Sequence, residues 1–173
     1  MLVRRPRQKF AFTFKTHEGN KFRGEFGDPN SAPRPRREVQ NLPHRMLVTS
    51  RKAIAKAGDL VEHKGVKFVL CGQHTLEFMQ RFLAVEVNHT VSWTSSEEIE
   101  DPVTRVMRDV SPIVRDPALP VAFEPRGGAD EEGFNRTKFR AFTHADVKEG
   151  DRLDGLKVLR VYDVLGLRAV EMA

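Results

Sequence analysis

Residues 58–71 read Gly-Asp-Leu-Val-Glu-His-Lys-Gly-Val-Lys-Phe-Val-Leu-Cys, and this stretch decides the fold class. Its apolar runs are rich in valine and are bounded by Gly-Asp and Lys-Gly, which favour tight turns between strands. Residues 82–93 then place leucine and valine at the two-residue spacing of a strand. This part of the chain therefore predicts antiparallel strands joined by short turns.

The same plan recurs near the C-terminus. Residues 150–159 read Gly-Asp-Arg-Leu-Asp-Gly-Leu-Lys-Val-Leu, so each copy consists of Gly-Asp, a strand, glycine, an apolar residue, lysine and a second strand. Residues 83–87 also resemble residues 167–171. Small, strongly bent sheets of this kind close into barrels, because closure removes bare strand edges. The repetition fits a duplicated module, two meanders within one barrel, or chance similarity between hairpins.

Phenylalanines alternate with other residues in two runs near the N-terminus, at 10–14 and 22–26, and Glu-Gly-Asn at 18–20 separates the runs. This pattern predicts a β-hairpin with a phenylalanine face. Because each ring would forgo roughly 1.5 to 3 kcal/mol if it stayed in water, the hairpin must pack on the main body or on a neighbouring copy.

One short helix is predicted over residues 101–110. Asp101 is a candidate cap, Pro102 occupies the first helical position, and Pro112 ends the segment. Valine or methionine falls at positions i, i+3, i+4 and i+7 of this segment. The expected fold is therefore mainly β: a small antiparallel β-barrel with an N-terminal β-hairpin, extended arms and one short α-helix.

A domain plan follows from the composition along the chain. Residues 27–45 are rich in proline and arginine and show no apolar period, which is typical of a linker or extended arm. We expect residues 1–45 to form a basic arm that contains the phenylalanine hairpin. Residues 46–173 are expected to form the barrel, with the helix inserted and a flexible loop at 126–133.

The positive charge is concentrated near the N-terminus. The chain has 29 Lys and Arg against 24 Asp and Glu, but residues 1–45 hold 11 basic and 4 acidic side chains. Two clusters stand out: Arg4, Arg5 and Arg7, then Arg34, Arg36 and Arg37. Arginines on an extended arm can neutralise DNA phosphates or bind carboxylates of a neighbouring subunit. A solvated tail that only aids solubility is the plainer interpretation.

Composition excludes several classes of protein. Hydrophobic residues make up 39% of the chain, too many for a disordered sequence. No apolar run approaches the roughly 18 to 20 residues of a spanning helix, and the first ten residues lack the apolar middle of a secretory signal. We therefore expect a soluble protein that stays in the cytoplasm. The single cysteine, Cys71, excludes an intramolecular disulfide and a cysteine-based zinc site.

The sequence contains almost no combination of residues typical of an active site. The chain contains no HExxH motif, no phosphate-binding glycine loop and no Gly-x-Ser-x-Gly elbow. Cys71 and His74 could pair as nucleophile and base, but a thiol in an apolar strand is more typical of core packing. Asp59 and Asp151 each follow a glycine before a strand, which is ordinary turn usage.

Three histidines, His63, His74 and His89, fall on neighbouring β elements and could converge on a metal. Their spacing is irregular and no carboxylate ligand is evident. We therefore expect no enzyme: no catalytic residue, no cofactor or cofactor-binding residue, and no metal site.

An apolar tip separates the two central strands. Residues 73–80 carry Leu76, Phe78 and Met79, and apolar side chains at an exposed tip are typical of a docking surface.

The Gly-Asp strands, the loop after the second strand and the returning Val-Glu-Val strand together resemble the head-closure, or head-to-tail joining, β-barrel proteins of tailed-bacteriophage necks. The resemblance covers residues 58–87 and 150–172. In that family identical subunits form a ring around the DNA channel, between the portal or adaptor and the tail. The phenylalanine hairpin and the predicted helix are departures from the family's pattern.

The resemblance implies a structural virion protein that is assembled in the host cytoplasm. Its partners would be copies of itself in a homo-oligomeric ring, a portal or adaptor protein, a tail protein and the DNA in the channel, with no membrane. It also implies that Leu76, Phe78 and Met79 form a docking loop. The six arginines of the two clusters would then form an interlocking arm that docks on a partner or lies near DNA.

A second resemblance is to the SH3-like or OB-like barrels of RNA- or ribosome-associated factors. The sequence pI of about 9.6 favours such a nucleic-acid-binding role. The scarcity of suitable surface aromatics weighs against it, because the chain has one Trp and one Tyr and its phenylalanines alternate as core residues do.

Overall fold

A computed structural model describes residues 10–27, 42–95, 98–100, 103–105, 107–109, 112–126 and 138–173. The described chain is mainly strand, and all strand pairs are antiparallel, which confirms the predicted fold class. The strands are β1 (Phe12–Thr16), β2 (Lys21–Gly27), β3 (His44–Ser50), β4 (Leu60–His63), β5 (Val66–Thr75), β6 (Met79–Glu86), β7 (His89–Ser95), β8 (Glu98–Glu100), β9 (Met107–Asp109), β10 (Ile113–Arg126), β11 (Lys138–Thr143), β12 (Arg152–Leu153), β13 (Leu156–Val164) and β14 (Leu167–Met172). Within these ranges no helix has the length and apolar content to cross a membrane.

The strands form two closed barrels of six strands each. The first has the order β1-β2-β3-β6-β5-β4, and the second has the order β7-β10-β11-β14-β13-β12. Numbered along the chain, the strands of each barrel follow the same order: one, two, three, six, five, four. The sequence repetition therefore belongs to two barrels of one topology, not to two meanders in a single barrel.

The repeated motif has the same local structure in both barrels. The Lys56 N–H donates to Asp59 Oδ2 at 2.9 Å, and the Lys148 N–H donates to Asp151 Oδ2, also at 2.9 Å. The glycine before each aspartate has a positive φ, 93° in the first copy and 92° in the second. Both carboxylates thus shape turns, as the sequence predicts.

Phenylalanines fill the first barrel. Phe14 and Phe22 of the N-terminal hairpin are buried, and their rings stack with centroids 5.5 Å apart. Phe68 and Phe82 pack in the same cluster. The hairpin therefore packs on its own chain and supplies two of the six strands of this barrel.

Aliphatic side chains dominate the interior of the second barrel, with Leu119, Leu153 and Met172 among those fully buried. Trp93 is half-buried at the edge of this cluster. Its indole N–H donates to Asp151 Oδ2 at 2.8 Å, which joins the wall of the barrel to the repeated turn.

A third apolar layer joins the two barrels. β5 reads Phe-Val-Leu-Cys at residues 68–71, and β6 reads Phe-Leu-Ala-Val at residues 82–85. Alternate residues of each run fill the first barrel, and the others face the second barrel, so these strands are buried on both faces. The layer contains Leu42, Leu60, Val69, Cys71, Leu83, Val85, Ala122, Phe142, Val164, Leu167 and Ala169.

The predicted helix over residues 101–110 is wrong in its described part. Residues 103–104 form a turn, Arg105 has a φ of 55°, and residues 107–109 are β9, which pairs with β8. β-Branched residues are frequent in this segment and lose side-chain freedom in a helix. Two prolines also leave room for fewer than three helical turns, and so short a helix gains little without tertiary packing.

Candidate docking surface

The hairpin between β5 and β6 carries the residues predicted to dock. Its tip is residues 76–78, shorter than expected, because Thr75 already pairs with Gln80. Phe78 is 59% exposed, and Leu76 and Met79 are half-buried. An aromatic ring therefore projects from one end of the first barrel.

Hydrogen bonds fix this tip to the loop that follows β3. The buried Gln80 side chain donates to the carbonyl oxygens of Ala53 at 3.1 Å and Ala55 at 3.3 Å. The Arg51 N–H donates to the Phe78 carbonyl at 3.2 Å. The loop adds a second exposed apolar side chain, Ile54. We call Ile54, Leu76, Phe78 and Met79 the apolar tip surface.

A groove of about 420 Å³ begins at Ile54 and continues along β2. Its floor includes Phe10 and Phe22, and its lining includes the cations Lys21, Arg23 and Lys52 but no carboxylate. We call this the basic groove. It offers apolar contact together with positive charge, a combination that suits an acidic partner segment.

A cleft of about 350 Å³ lies between the barrels. His17 and His144 meet across it, with ring centroids 5.0 Å apart. Burial lowers the pKa of His144, the nearby His17 and Lys67 lower it further, and Asp116 partly opposes them. The buried Nδ1 of His144 has no hydrogen-bond partner among the described residues. The cleft therefore disfavours the protonated imidazole.

The described ranges contain no group of three or more His, Cys, Asp or Glu side chains arranged to hold a metal ion. The three histidines considered from the sequence make separate contacts. His63 packs on Phe14 with ring centroids 4.9 Å apart, His89 packs on Phe123 at 5.5 Å, and His74 is exposed near the end of β5. The structure does not bring them together.

Cys71 is fully buried, as its apolar strand predicts. Burial raises the pKa of its thiol to about 12, and Sγ donates to the Leu83 carbonyl at 3.5 Å. A thiol in this state is a packing group, because thiol chemistry needs the thiolate.

A buried ion pair on the second barrel was not predicted. Arg140 is 1% exposed, and its Nε donates to Glu124 Oε2 at 2.9 Å. Its guanidinium also lies over the Phe142 ring, 5.0 Å from the centroid. Burial alone would lower the pKa of Arg140, but hydrogen bonds to Tyr162 and Glu124 and the Glu124 charge raise it overall. The sequence Phe-Arg-Ala-Phe at 139–142 could have indicated this contact. Residues two apart in a strand lie on the same face, so Arg140 and Phe142 are expected to be neighbours.

The arginine clusters of the sequence lie outside the described residues: Arg4, Arg5, Arg7, Arg34, Arg36 and Arg37. For the second cluster, the structure describes the residues on either side of the connection that contains it, Gly27 and Leu42.

Comparison with protein-family models, curated proteins and solved structures finds no match to this chain.

Proposed function

We propose that this chain is a structural subunit of a tailed-phage neck. Copies of it form a ring between the portal or adaptor and the tail, around the DNA channel, and they catalyse no reaction and need no cofactor. The observation that carries the proposal is the apolar tip surface, where Phe78 is 59% exposed at the end of a closed barrel. Apolar rings held at such a position suit contact with another protein.

The rigidity of the body supports this function. Each barrel is closed, and a shared layer of buried side chains joins them. Every strand of a closed barrel is paired on both sides, so no free strand edge remains to which another copy could add a strand. Contact is then confined to loops and ends, as a ring subunit with defined neighbours requires.

The positions of the arm and the tip also fit a subunit with two working ends. β3 runs from His44, beside the arm's exit, to Ser50, which pairs with Met79 at the tip. The connection that contains Arg34, Arg36 and Arg37 therefore starts and ends at the end of the first barrel opposite the apolar tip surface. A neck ring must contact the head on one side and the tail on the other.

The test uses the phage that encodes the chain, with its gene inactivated. We expect DNA-filled heads and complete tails that fail to join, and joining should return when the purified protein is added. Electron microscopy gives the joined fraction, and nuclease digestion gives the retained DNA. Joined, infectious particles made without the protein would overturn the proposal.

A matched pair of variants tests the docking role. Phe78→Ser should restore joining poorly, while Leu159→Ser should restore it fully, because Leu159 is 51% exposed on β13 of the other barrel. Equal recovery by both variants would remove Phe78 from the contact.

The alternative is a nucleic-acid-binding barrel associated with RNA or the ribosome. Two cation–aromatic contacts favour it: Arg45 lies 5.3 Å from the Phe26 ring centroid, and Lys64 lies 5.9 Å from that of Phe12. Phe14 and Phe22 are buried in the first barrel. A nucleic-acid base cannot stack on a buried ring, which weighs against this alternative. Tight, steeply salt-dependent binding of the isolated chain to a DNA or RNA duplex at two salt concentrations would favour this alternative.

A further inference from the structure

The cleft between the barrels is lined mainly by polar and charged side chains. On the side of the first barrel, Lys15 of β1 lies opposite Glu62 of β4, and Glu62 lies opposite Lys67 of β5. Residues directly opposite in neighbouring antiparallel strands have their Cβ atoms about 4.5–5.5 Å apart. One carboxylate position therefore lies between two lysines, and this wall of the cleft carries a net positive charge.

The second barrel contributes Asp116 of β10 and His144, which follows β11. Asp116 Oδ1 accepts a hydrogen bond from the Ala118 N–H at 2.9 Å, so part of this carboxylate is used within its own turn. His17, which follows β1, lies beside His144 at a ring-centroid distance of 5.0 Å. Two imidazoles thus lie together at the cleft, and Nδ1 of His144 has no hydrogen-bond partner within the described ranges.

Protonation changes the charge of this cleft. With both imidazoles neutral, the charges of the two lysines and two carboxylates in the lining cancel, and with both protonated the lining carries two net positive charges. Burial, His17 and Lys67 lower the pKa of His144, and Asp116 opposes them only in part. An anion held in the cleft supplies negative charge close to the ring and favours its protonated form.

We infer that this cleft is a binding site for a phosphate group, carried by free phosphate or by a small phosphorylated molecule. Lys15 and Lys67 supply ammonium donors, and protonated His17 and His144 supply N–H donors. The volume of about 350 Å³ is within the range of small-ligand sites and leaves room beyond a single phosphate. The cleft shares no lining residue with the apolar tip surface or the basic groove, so the site is independent of the proposed neck function.

Thermal melting in the presence of a chelator tests the site. At about pH 6, saturating phosphate should raise the melting temperature of the wild-type chain by about 3–6 °C above chloride of the same ionic strength. Phosphate also stabilises proteins because it is excluded from their surface, so a pair of variants isolates the specific part. Lys67→Gln should lose most of the rise. Lys157→Gln, at the equivalent position of the repeated motif but outside the cleft, should keep it.

Sulfate tests the link to protonation, because its charge is constant between about pH 6 and pH 8. Its affinity should fall at least about fivefold over this interval as the imidazoles lose their protons. His144→Gln should reduce the pH dependence, whereas His74→Gln, exposed near the end of β5, should retain it. In NMR titrations the pKa of His144 should rise when sulfate is added, a change that exclusion of salt from the surface does not produce.

Two further ligands identify the source of the phosphate group. Adenosine monophosphate that binds more tightly than inorganic phosphate, and loses this binding in Lys67→Gln, would support a small phosphorylated ligand, and the reverse order would support the free ion. Equal stabilisation of Lys67→Gln and Lys157→Gln by phosphate, or a pKa of His144 that sulfate leaves unchanged, overturns the site. Stabilisation by single-stranded DNA alone would also overturn it.

Discussion

The two barrels share strand order and turn chemistry, but they differ in their interior side chains and in the loops that connect their strands. The first contains phenylalanines, and the second contains mainly aliphatic side chains. The turn between the fifth and sixth strands has a different position in each barrel. In the first barrel it carries Phe78 outward, and in the second it is Leu165-Gly166, which packs against the first barrel. The common topology sets the fold, while this turn has diverged between the two barrels.

The turn between β13 and β14 of the second barrel contributes to the junction between the two barrels. The Gly72 N–H donates to the Leu165 carbonyl at 2.8 Å. A Cβ on Gly166 would lie 2.8 Å from the Ala57 Cβ. The β13–β14 turn therefore helps to hold the barrels together, while the equivalent turn of the first barrel exposes Phe78.

The largest effect is expected from a charge placed between the barrels. Val85 is fully buried in the shared layer, so Val85→Asp should cost several kcal/mol and leave the chain unfolded. Circular dichroism and expression in the soluble fraction measure this. Val66→Asp is the control, because Val66 is 40% exposed at the start of β5. Normal melting of the Val85 variant would show that the barrels do not depend on each other.

A smaller effect separates two turn glycines of the second barrel that have similar backbone angles. Gly155 and Gly166 have φ values of 82° and 79°, so alanine at either position should cost about 1–2 kcal/mol of backbone strain. Only Gly166 also meets Ala57, which should add about 1–3 kcal/mol from overpacking. Thermal melting should therefore fall further for Gly166→Ala than for Gly155→Ala. Equal losses would contradict the role of this turn in the junction.

The cleft between the barrels should make stability depend on pH. The pKa of His144 is lowered in the folded protein, so the unfolded chain binds more protons as the solution is acidified. The contribution of His144 is present above the ordinary histidine pKa and is lost as the pH falls through it and toward the folded value. We expect the melting temperature to fall between about pH 8 and pH 5, and His144→Gln to flatten the slope. His74→Gln, an exposed control, should leave the slope unchanged.

The smallest effect on stability is expected from the arm. Alanine at Arg34, Arg36 and Arg37 should change the free energy of unfolding by less than about 0.5 kcal/mol, because the segment has no core pattern. The same variant should join heads to tails poorly. Alanine at Lys64, Lys148 and Lys157 removes the same charge from described turns and strands and should join normally. A large loss of stability in the arginine variant would place the arm within the folded core.

Much of the fold follows from the sequence because the repeated motif is local. Gly-Asp before a strand and a positive-φ glycine between strands set the same turns wherever they occur, and Gly65 and Gly155 have φ values of 80° and 82°. Burial of Cys71 also follows directly from its apolar neighbours. The apolar tip follows for the same reason, since Leu76, Phe78 and Met79 are close together in the chain.

The number of barrels could not be predicted, because it depends on which distant strands pair. β1 closes the first barrel by pairing with β4, which lies more than 40 residues later in the chain. No local sequence pattern indicates this pairing. The helix prediction failed for a related reason, since a valine-rich run of this length is also compatible with a strand. The basic groove was missed because its cations come from separate elements, β2 and the loop after β3.

The order of the barrels along the chain affects how the protein is made. Residues 12–86 build the first barrel and residues 89–172 build the second, with only two residues between them. Because domains fold from the N-terminus during synthesis, we expect the first barrel to close before the strands of the second have been made. Val69, Leu83 and their neighbours are then exposed to water for the time needed to translate about 80 more residues, several seconds at ordinary elongation rates. Nascent chains are therefore most prone to aggregation in that interval, and slower translation downstream of residue 90 should lower the yield.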